Sequence, residues 1–177
     1  MGKQYKQLTQ NDIAFIKEQK LFYLASASLG EVNLSPKGYD SIRVLNESTI
    51  IFMNYAGSGN RTHRDAANNG EFTLVFNAFS GKANIIRLFC KAEIINDDSS
   101  EYKEYLESFN EKKELVRNFF KFNIYAVESS CGESVPYMDY IRDRTTIKEW
   151  VVKMDKSDKL EKYKEKHFTP PDLNKLT

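Results

Sequence analysis

Alternation of hydrophobic and polar positions marks most of this chain as β-structure. Runs rich in β-branched and aromatic residues, bounded by Gly, Asn, Asp and Ser, are typical of strands. We predict strands at residues 21–27, 31–35, 49–55, 72–76, 84–95 and 122–129. Leu29 and Gly30 separate the first two runs, which predicts a hairpin at this point.

Helical spacing accounts for the segments between and after these strands. Thr9 followed by Asp12 resembles a capping box and predicts a short helix that ends near Lys20. Further helices are predicted at residues 61–68, after the acidic patch at 97–101, at 112–120, and from 145 or 146 through 166. Pro170 and Pro171 follow the last helix, and the tail is predicted to be loose.

The order of these elements favours one fold class. Hairpin-linked strands without regular βαβ alternation point to an antiparallel barrel or roll rather than a doubly wound sheet. The chain shows neither internal repeats nor a linker, so residues 1–177 are predicted to form one domain with an N-terminal helix and a C-terminal helical tail. The predicted fold is therefore mainly β, with peripheral helices.

Composition narrows the classes of function. The chain carries 26 Lys and Arg against 25 Asp and Glu, a net charge of +1 that argues against nucleic-acid binding. No apolar run reaches the roughly 20 residues of a transmembrane helix, and residues 1–6 show no secretory signal. Two histidines and two distant cysteines, Cys90 and Cys131, exclude a His-rich metal centre and a disulfide scaffold. We expect a cytoplasmic protein that binds neither metal nor membrane.

A phosphate-binding loop is the most informative candidate site. Small residues at 57–60 leave backbone N–H groups free to face an anion, and the start of the following helix adds unpaired donors and the positive end of its dipole. Side-chain donors and charges are supplied by Ser58, Asn60, Thr62, Lys37, Arg43 and Arg61. An ordinary turn is the alternative interpretation, because the loop lacks both the Walker pattern and the dinucleotide fingerprint.

Several segments occur together in the order typical of one known family. They are Val32-Asn33-Leu34-Ser35-Pro36-Lys37-Gly38, Arg43-Val44-Leu45, Gly57-Ser58-Gly59-Asn60, Ile86-Arg87-Leu88, Ser130-Cys131-Gly132 with Val135-Pro136, and Arg142-Asp143. Over nearly its full length, the chain resembles the pyridoxamine 5′-phosphate oxidase-like family of FMN-binding split β-barrels. More narrowly, it is similar to a subgroup other than the vitamin B6 oxidases themselves.

The resemblance implies a fold, a cofactor and an assembly. It implies a split antiparallel β-barrel that forms a homodimer, with FMN at the subunit interface. By position in the family motifs, residues 60–62 hold the FMN phosphate, Ser35 and Lys37 lie close to the flavin, Arg87 takes a cationic position on the long strand, and Ser130 and Cys131 lie beside the isoalloxazine ring. The full set of candidate cofactor-binding residues is Ser35, Lys37, Arg43, Ser58, Asn60, Arg61, Thr62, Arg87, Ser130 and Cys131.

Departures from the family pattern affect the expected substrate. Asn60-Arg61-Thr62 replaces the Ser-Arg-Lys phosphate motif of true vitamin B6 oxidases, and no C-terminal Arg-x-His pair is present. Glu133 and Ser134 stand where close relatives have Tyr and Gly. These differences predict that the substrate is not a form of vitamin B6.

Three functional hypotheses follow from the sequence. The first is an FMN-dependent oxidoreductase that acts on a small organic substrate, with a nicotinamide as a candidate electron donor, and in which no side chain has to act as acid or base. The second is a flavin-binding or sensing module without turnover, and the third is a dimeric interaction protein with an empty barrel. A deazaflavin or haem-type ligand stays open beside FMN. For Cys131 and His63, packing or surface positions are the expected alternatives to catalysis.

Overall fold

Residues 2–175 form one curved antiparallel sheet surrounded by short helices. The structure is a computed structural model that describes these residues apart from the side chain of Asn174, so the ends of the predicted 1–177 domain lie outside the described residues. The strands are β1 (Lys3–Tyr5), β2 (Phe22–Ser28), β3 (Glu31–Lys37), β4 (Ile42–Asn46), β5 (Thr49–Tyr55), β6 (Glu71–Asn77), β7 (Ile85–Ile95) and β8 (Val116–Ser130).

The strand order explains why the barrel is split. Neighbouring strands follow the order β3-β2-β6-β7-β8-β5-β4, and β1 pairs with β8. β8 is 15 residues long, so it pairs with β7 and also reaches β5. Within residues 2–175 no ladder joins the two end strands β3 and β4, which leaves the sheet open on that side. The predicted class, a mainly β fold of split antiparallel barrel type, is confirmed.

Helices occupy the turns and the outside of this sheet. They are α1 (Gln10–Glu18), α2 (Arg61–Ala67), α3 (Ser100–Phe109), α4 (Thr146–Lys156) and α5 (Leu160–Lys166), with 3₁₀ turns at Lys113–Leu115 and Leu173–Lys175. The predicted capping box starts α1, since the Asp12 amide donates to the Thr9 hydroxyl and the Thr9 amide donates to the Asp12 carboxylate at 2.8 Å. None of the helices in the described part of the chain is long and apolar enough to cross a bilayer.

Aromatic side chains fill the interior on one face of the sheet and cover its outside on the other. Phe22 lies 5.7 Å from Phe52 and 5.3 Å from Phe76 between ring centroids, inside the barrel. On the outer face, Phe119 packs against the rings of α3, with Phe109 at 5.6 Å. Burying each such ring stabilises the fold by about 1.5–3 kcal/mol. Packing on both faces therefore fixes the positions of the strands, including those that border the open side of the barrel.

Two predicted helices differ from the observed structure. The helix predicted at 112–120 is wrong, because only a 3₁₀ turn precedes β8, which begins at Val116. Phe119 and Phe120 are both fully buried, on opposite faces of this strand, and a run buried on both faces carries no period-2 signal. The helix predicted through residue 166 is divided, because Asp158 adopts a left-handed φ of 54° between α4 and α5. β1 and β4 were not predicted.

Candidate functional site

A cavity of about 610 Å³ lies between β3, the end of β5 and the loop at residues 57–60. Its volume falls within the usual range for small-molecule sites. Side chains of β3 alternate, so Ser35 and Lys37 face the cavity while Val32 and Leu34 are exposed on the outer side of the strand. The open side of the barrel thus forms a pocket of ligand size.

This cavity brings together six of the predicted site residues. They are Ser35, Lys37, Ser58, Asn60, Arg61 and Thr62. The first two come from the end of β3, and the other four come from the loop after β5 and the first turn of α2. Hydroxyl, amide and cationic groups from two separate segments therefore converge on one space.

Lys37 places a positive charge at the cavity without a charged partner among the described residues. Its ammonium lies 5.7 Å from the centre of the Phe52 ring, and burial lowers the pKa of Lys37. Within residues 2–175 its side chain has neither a carboxylate partner nor a hydrogen bond. A desolvated cation without a counter-ion is costly. An anionic ligand in the cavity would compensate this charge.

Arg117, near the start of β8, binds the backbone of the glycine-containing loop at residues 57–60. The Arg117 guanidinium donates to the carbonyl oxygens of Gly57 at 2.6 Å and Gly59 at 3.1 Å, and to Asn60 Oδ1 at 3.1 Å. In a trans peptide the next N–H points opposite to the carbonyl, so the amides of Ser58 and Asn60 point away from Arg117. Neither amide has a protein partner within the described residues. The loop therefore offers two backbone donors to a ligand.

Arg61 is the second cation at the cavity, and it already has partners. Glu31 accepts hydrogen bonds from both Arg61 and Arg64. Asp65, which is fully buried, accepts from the Ser26 hydroxyl and from Arg64 Nε at 2.9 Å. This network attaches α2 to the β2–β3 hairpin. α2 has seven residues and no side-chain cap at Asn60, so its first-turn N–H groups have no side-chain partner there, and the contribution of the helix dipole stays a prediction.

The C-terminal segment at residues 168–171 closes one side of the cavity. Asn60 Nδ2 donates to the carbonyl oxygen of Phe168 at 2.7 Å, and Arg61 donates to the carbonyl oxygen of Pro171 at 2.8 Å. The rings of His63 and Phe168 lie 5.0 Å apart, and Pro170 also lines the cavity. Residues 168–171 therefore contact Asn60 and Arg61, and the loose tail beyond Pro171 stays a prediction.

Aromatic residues that the sequence analysis missed form another side of the cavity. The rings of Tyr39 and Tyr55 lie 5.1 Å apart, and Lys148 Nζ lies 5.3 Å and 5.5 Å from their centres. The Tyr55 hydroxyl donates to Glu111 at 3.2 Å, and burial together with this carboxylate raises the pKa of Tyr55. Tyr55 therefore stays protonated, and the pair offers an apolar surface for a planar ring. Tyr39 has a φ of 61°, which a sequence pattern does not reveal.

Four predicted site residues lie elsewhere. Arg43 binds both oxygens of the Asp40 carboxylate, at 2.5 Å and 2.7 Å, and lines a second cavity of about 470 Å³. Arg87 on β7 donates to the Ser130 hydroxyl at 3.0 Å, and Cys131 is exposed. A single chain does not bring these four to the cavity, and their role in ligand binding stays a prediction. No cluster of three potential metal ligands occurs in residues 2–175.

Comparison with known proteins gives a consistent family. The family described as pyridoxamine 5′-phosphate oxidase matches residues 8–131 of the chain. The "Pyridoxamine 5′-phosphate oxidase family protein ustO" of Aspergillus flavus is 31% identical over 147 residues, which is 80% of this chain and 59% of that protein. The chain thus spans less than two thirds of that curated relative.

Solved structures share the fold at low sequence identity. HupZ from Group A Streptococcus has a TM-score of 0.57 and 19% identity, over 68% of this chain and 91% of that one. An FMN-binding protein from Syntrophomonas wolfei has a TM-score of 0.50 and 14% identity, over 73% of this chain and 85% of that one. The matching segment at 8–131 contains strands β2 to β8 and the loop at 57–60. The chain belongs to the pyridoxamine 5′-phosphate oxidase family.

Proposed function

We propose that the protein binds FMN in the cavity between β3 and the loop at 57–60, and that the loaded protein is an oxidoreductase for a small organic substrate. One observation carries the proposal: among the described residues, the half-buried Lys37 side chain has no counter-ion, and it shares the cavity with a loop whose Ser58 and Asn60 amides have no protein partner there. Family membership and the FMN-binding protein from Syntrophomonas wolfei support FMN as the anion.

The residues present fit both ends of FMN. The phosphate needs cations and N–H or O–H donors. These would come from Lys37, the Ser58 hydroxyl, the backbone amides of Ser58 and Asn60, and the side chains of Asn60 and Arg61. The isoalloxazine ring needs an aromatic contact, which one ring of the edge-to-face pair Tyr39 and Tyr55 would supply. A dianionic group with a planar ring thus matches the cavity better than a neutral ligand does.

In this function the protein binds and shields while the cofactor reacts. When bound, the flavin supplies two-electron redox chemistry. Lys37 and the loop hold its phosphate, Arg117 keeps the loop amides oriented, and the Tyr39–Tyr55 pair excludes water from one side of the cavity. Tyr55, protonated through burial and Glu111, remains a hydroxyl donor rather than an anion near the ring. The substrate class is a small organic molecule, with a nicotinamide as electron donor.

A homodimer belongs to the same proposal. Val32 is 81% exposed and Leu34 is 63% exposed on the outer side of β3, although both are apolar. Tyr137 and Ile141, in the connection between β8 and α4, are exposed as well. The apolar side and the cavity lie on opposite faces of the same strand, β3. A second copy of the chain that packs on the apolar side would therefore lie one strand away from the ligand. That copy is the expected source of residues such as Arg87 and Ser130.

A cytoplasmic location is also part of the proposal. Within residues 2–175 both cysteines, Cys90 and Cys131, are free thiols. Burial raises the pKa of the Cys90 thiol, so it stays protonated. Free thiols persist in a reducing compartment, which the cytoplasm provides.

Titration with FMN and riboflavin tests the binding. Riboflavin carries the same ring without the phosphate, so we expect it to bind more weakly than FMN. Lys37→Met should weaken FMN binding by about 10- to 100-fold, since it removes a charge-assisted contact, and should leave riboflavin binding unchanged. Lys20→Met, which removes an exposed cation near the second cavity, is the matched control. FMN affinity that is equal in wild type and Lys37→Met would contradict the proposed site.

Reduction under argon separates the enzyme from the module without turnover. The oxidoreductase predicts that NADH, NADPH or an organic donor bleaches the bound flavin, and that oxygen restores the colour. A bound flavin that no donor reduces would favour the sensing module. A protein that takes up no flavin at all would favour the interaction protein with an empty barrel.

A further inference from the structure

The C-terminal segment at residues 168–171 occupies donors that the phosphate of a ligand would use. We propose that this segment is an internal competitor for the phosphate, so that binding of FMN displaces it from the cavity. The inference rests on the proposed function, because it assigns regulation to the same cavity. It concerns the Phe168 and Pro171 carbonyl oxygens, which accept from Asn60 and Arg61.

The side-chain amide of Asn60 is oriented so that Nδ2 donates to the C-terminal segment. Arg117 donates to Asn60 Oδ1, which fixes the amide so that Nδ2 faces the Phe168 carbonyl at 2.7 Å. Asn60 is buried, with 3% of its surface exposed, so water does not easily replace the tail at this donor. A phosphate oxygen that binds Nδ2 therefore has to take the place of the tail carbonyl.

Arg61 is divided between two partners in a similar way. One terminal nitrogen donates to Glu31, and the other donates to the Pro171 carbonyl at 2.8 Å. Glu31 also binds Arg64 and forms part of the network that attaches α2, so this side of the guanidinium is structural. The side that faces Pro171 is the one left for a ligand.

The tail is held weakly enough to be displaced. Asn60 and Arg61 donate hydrogen bonds to its two neutral carbonyl oxygens, Phe168 makes one ring contact, and Pro170 and Pro171 pack at the cavity. The Phe168 amide donates to the Glu165 carbonyl of the preceding helix, which does not attach the segment to the cavity. Phe168 is exposed, so little apolar surface is buried by the contact. A phosphate accepts charge-assisted bonds from both donors, whereas the bond from Asn60 to the Phe168 carbonyl is neutral, and charge-assisted bonds are roughly twice as strong as neutral ones. A phosphorylated ligand therefore displaces the tail carbonyls from Asn60 and Arg61, which requires the tail to open.

This competition predicts a difference between ligands with and without a phosphate. FMN binds only to the fraction of molecules whose tail is open, which reduces its apparent affinity by that fraction. Riboflavin does not need the Asn60 and Arg61 donors and is insensitive to the tail. The tail therefore lowers the preference for phosphorylated ligands without changing the affinity for the ring.

A loosened tail in the full-length chain tests the inference. The variant carries Phe168→Ala, Pro170→Gly and Pro171→Gly, which removes the ring contact and raises the entropy of the free tail. The matched control carries Leu173→Gly and Lys175→Gly, beyond the two carbonyl contacts. We expect FMN to bind about tenfold more tightly to the loosened variant, while its riboflavin affinity and both affinities of the control stay at the wild-type values.

Limited trypsin digestion of the wild-type protein gives a second readout that needs no substitution. Saturating FMN should speed cleavage after Lys166 by about tenfold, because proteolysis follows the open fraction, and riboflavin should not. FMN affinity that is equal or weaker in the loosened variant, or protection of Lys166 by FMN, would overturn the competition while leaving the FMN site intact. Absence of FMN binding in every variant would overturn the proposed function and this inference together.

Discussion

Two cavities of this chain contain cations, and they differ in how those cations are compensated. In the second cavity, Arg43 binds both oxygens of Asp40, and Lys17 and Lys20 are exposed to water. In the cavity beside β3, Lys37 is half-buried and has no carboxylate partner within residues 2–175. Because a sequence shows charge but not pairing, both regions look like anion sites before the fold is known. Desolvation without pairing is what distinguishes the candidate site.

The largest effect is expected from removing the buried carboxylate of Asp65. Its partner Arg64 then loses part of its charge compensation and becomes more like the uncompensated Lys37. Asp65 is fully buried and accepts from Ser26, Ser28 and Arg64. Asp65→Ala leaves these donors without their acceptor and should lower the free energy of unfolding by about 3–5 kcal/mol, measured by urea denaturation.

The matched control is Asp40→Ala, which removes an exposed carboxylate from Arg43. An exposed pair contributes about 1 kcal/mol or less, so this variant should stay near wild-type stability. Equal losses of unfolding free energy in Asp65→Ala and Asp40→Ala would show that burial does not determine how much a paired carboxylate contributes to stability.

A smaller effect is expected from Arg117, whose partners are carbonyl oxygens of the loop rather than carboxylates. Arg117→Met should free the loop and weaken FMN binding by about tenfold, since two oriented amides lose their fixed direction. Riboflavin binding should not change, which separates lost orientation from general unfolding.

Lys103→Met, on the exposed side of α3, serves as the control for Arg117. It should leave both ligand affinities at the wild-type values. An Arg117→Met variant that keeps wild-type FMN affinity, or one that loses FMN and riboflavin binding equally, would remove Arg117 from the account of the site.

Most of the strands were predictable because they are rich in β-branched and aromatic residues, even in β5, where both faces are buried. Strands were predicted at residues 49–55 and 84–95, and the structure has strands at Thr49–Tyr55 and Ile85–Ile95. The first part of β8 was missed because Phe119 is covered by α3 while Phe120 fills the barrel. Tertiary packing on both faces thus erased the local signal that separates a strand from a helix.

The candidate site was predictable where its residues are close in the chain. Ser58, Asn60, Arg61 and Thr62 form one short segment, and the structure places them together at the cavity. Arg117 lies 57 positions from Asn60, so no local pattern connects it with the loop. The C-terminal tail is still more distant, since Phe168 lies 108 positions from Asn60.

The most direct test of the central claim is an NMR titration of the Lys37 ammonium with and without ligand. Without ligand, burial lowers the pKa of Lys37 below the ordinary lysine value. A bound phosphate favours the charged form, so FMN should raise this pKa, and FMN affinity should fall as pH rises through it. Riboflavin should leave the pKa lowered. A Lys37 pKa that is the same in the free and FMN-saturated protein would contradict the account.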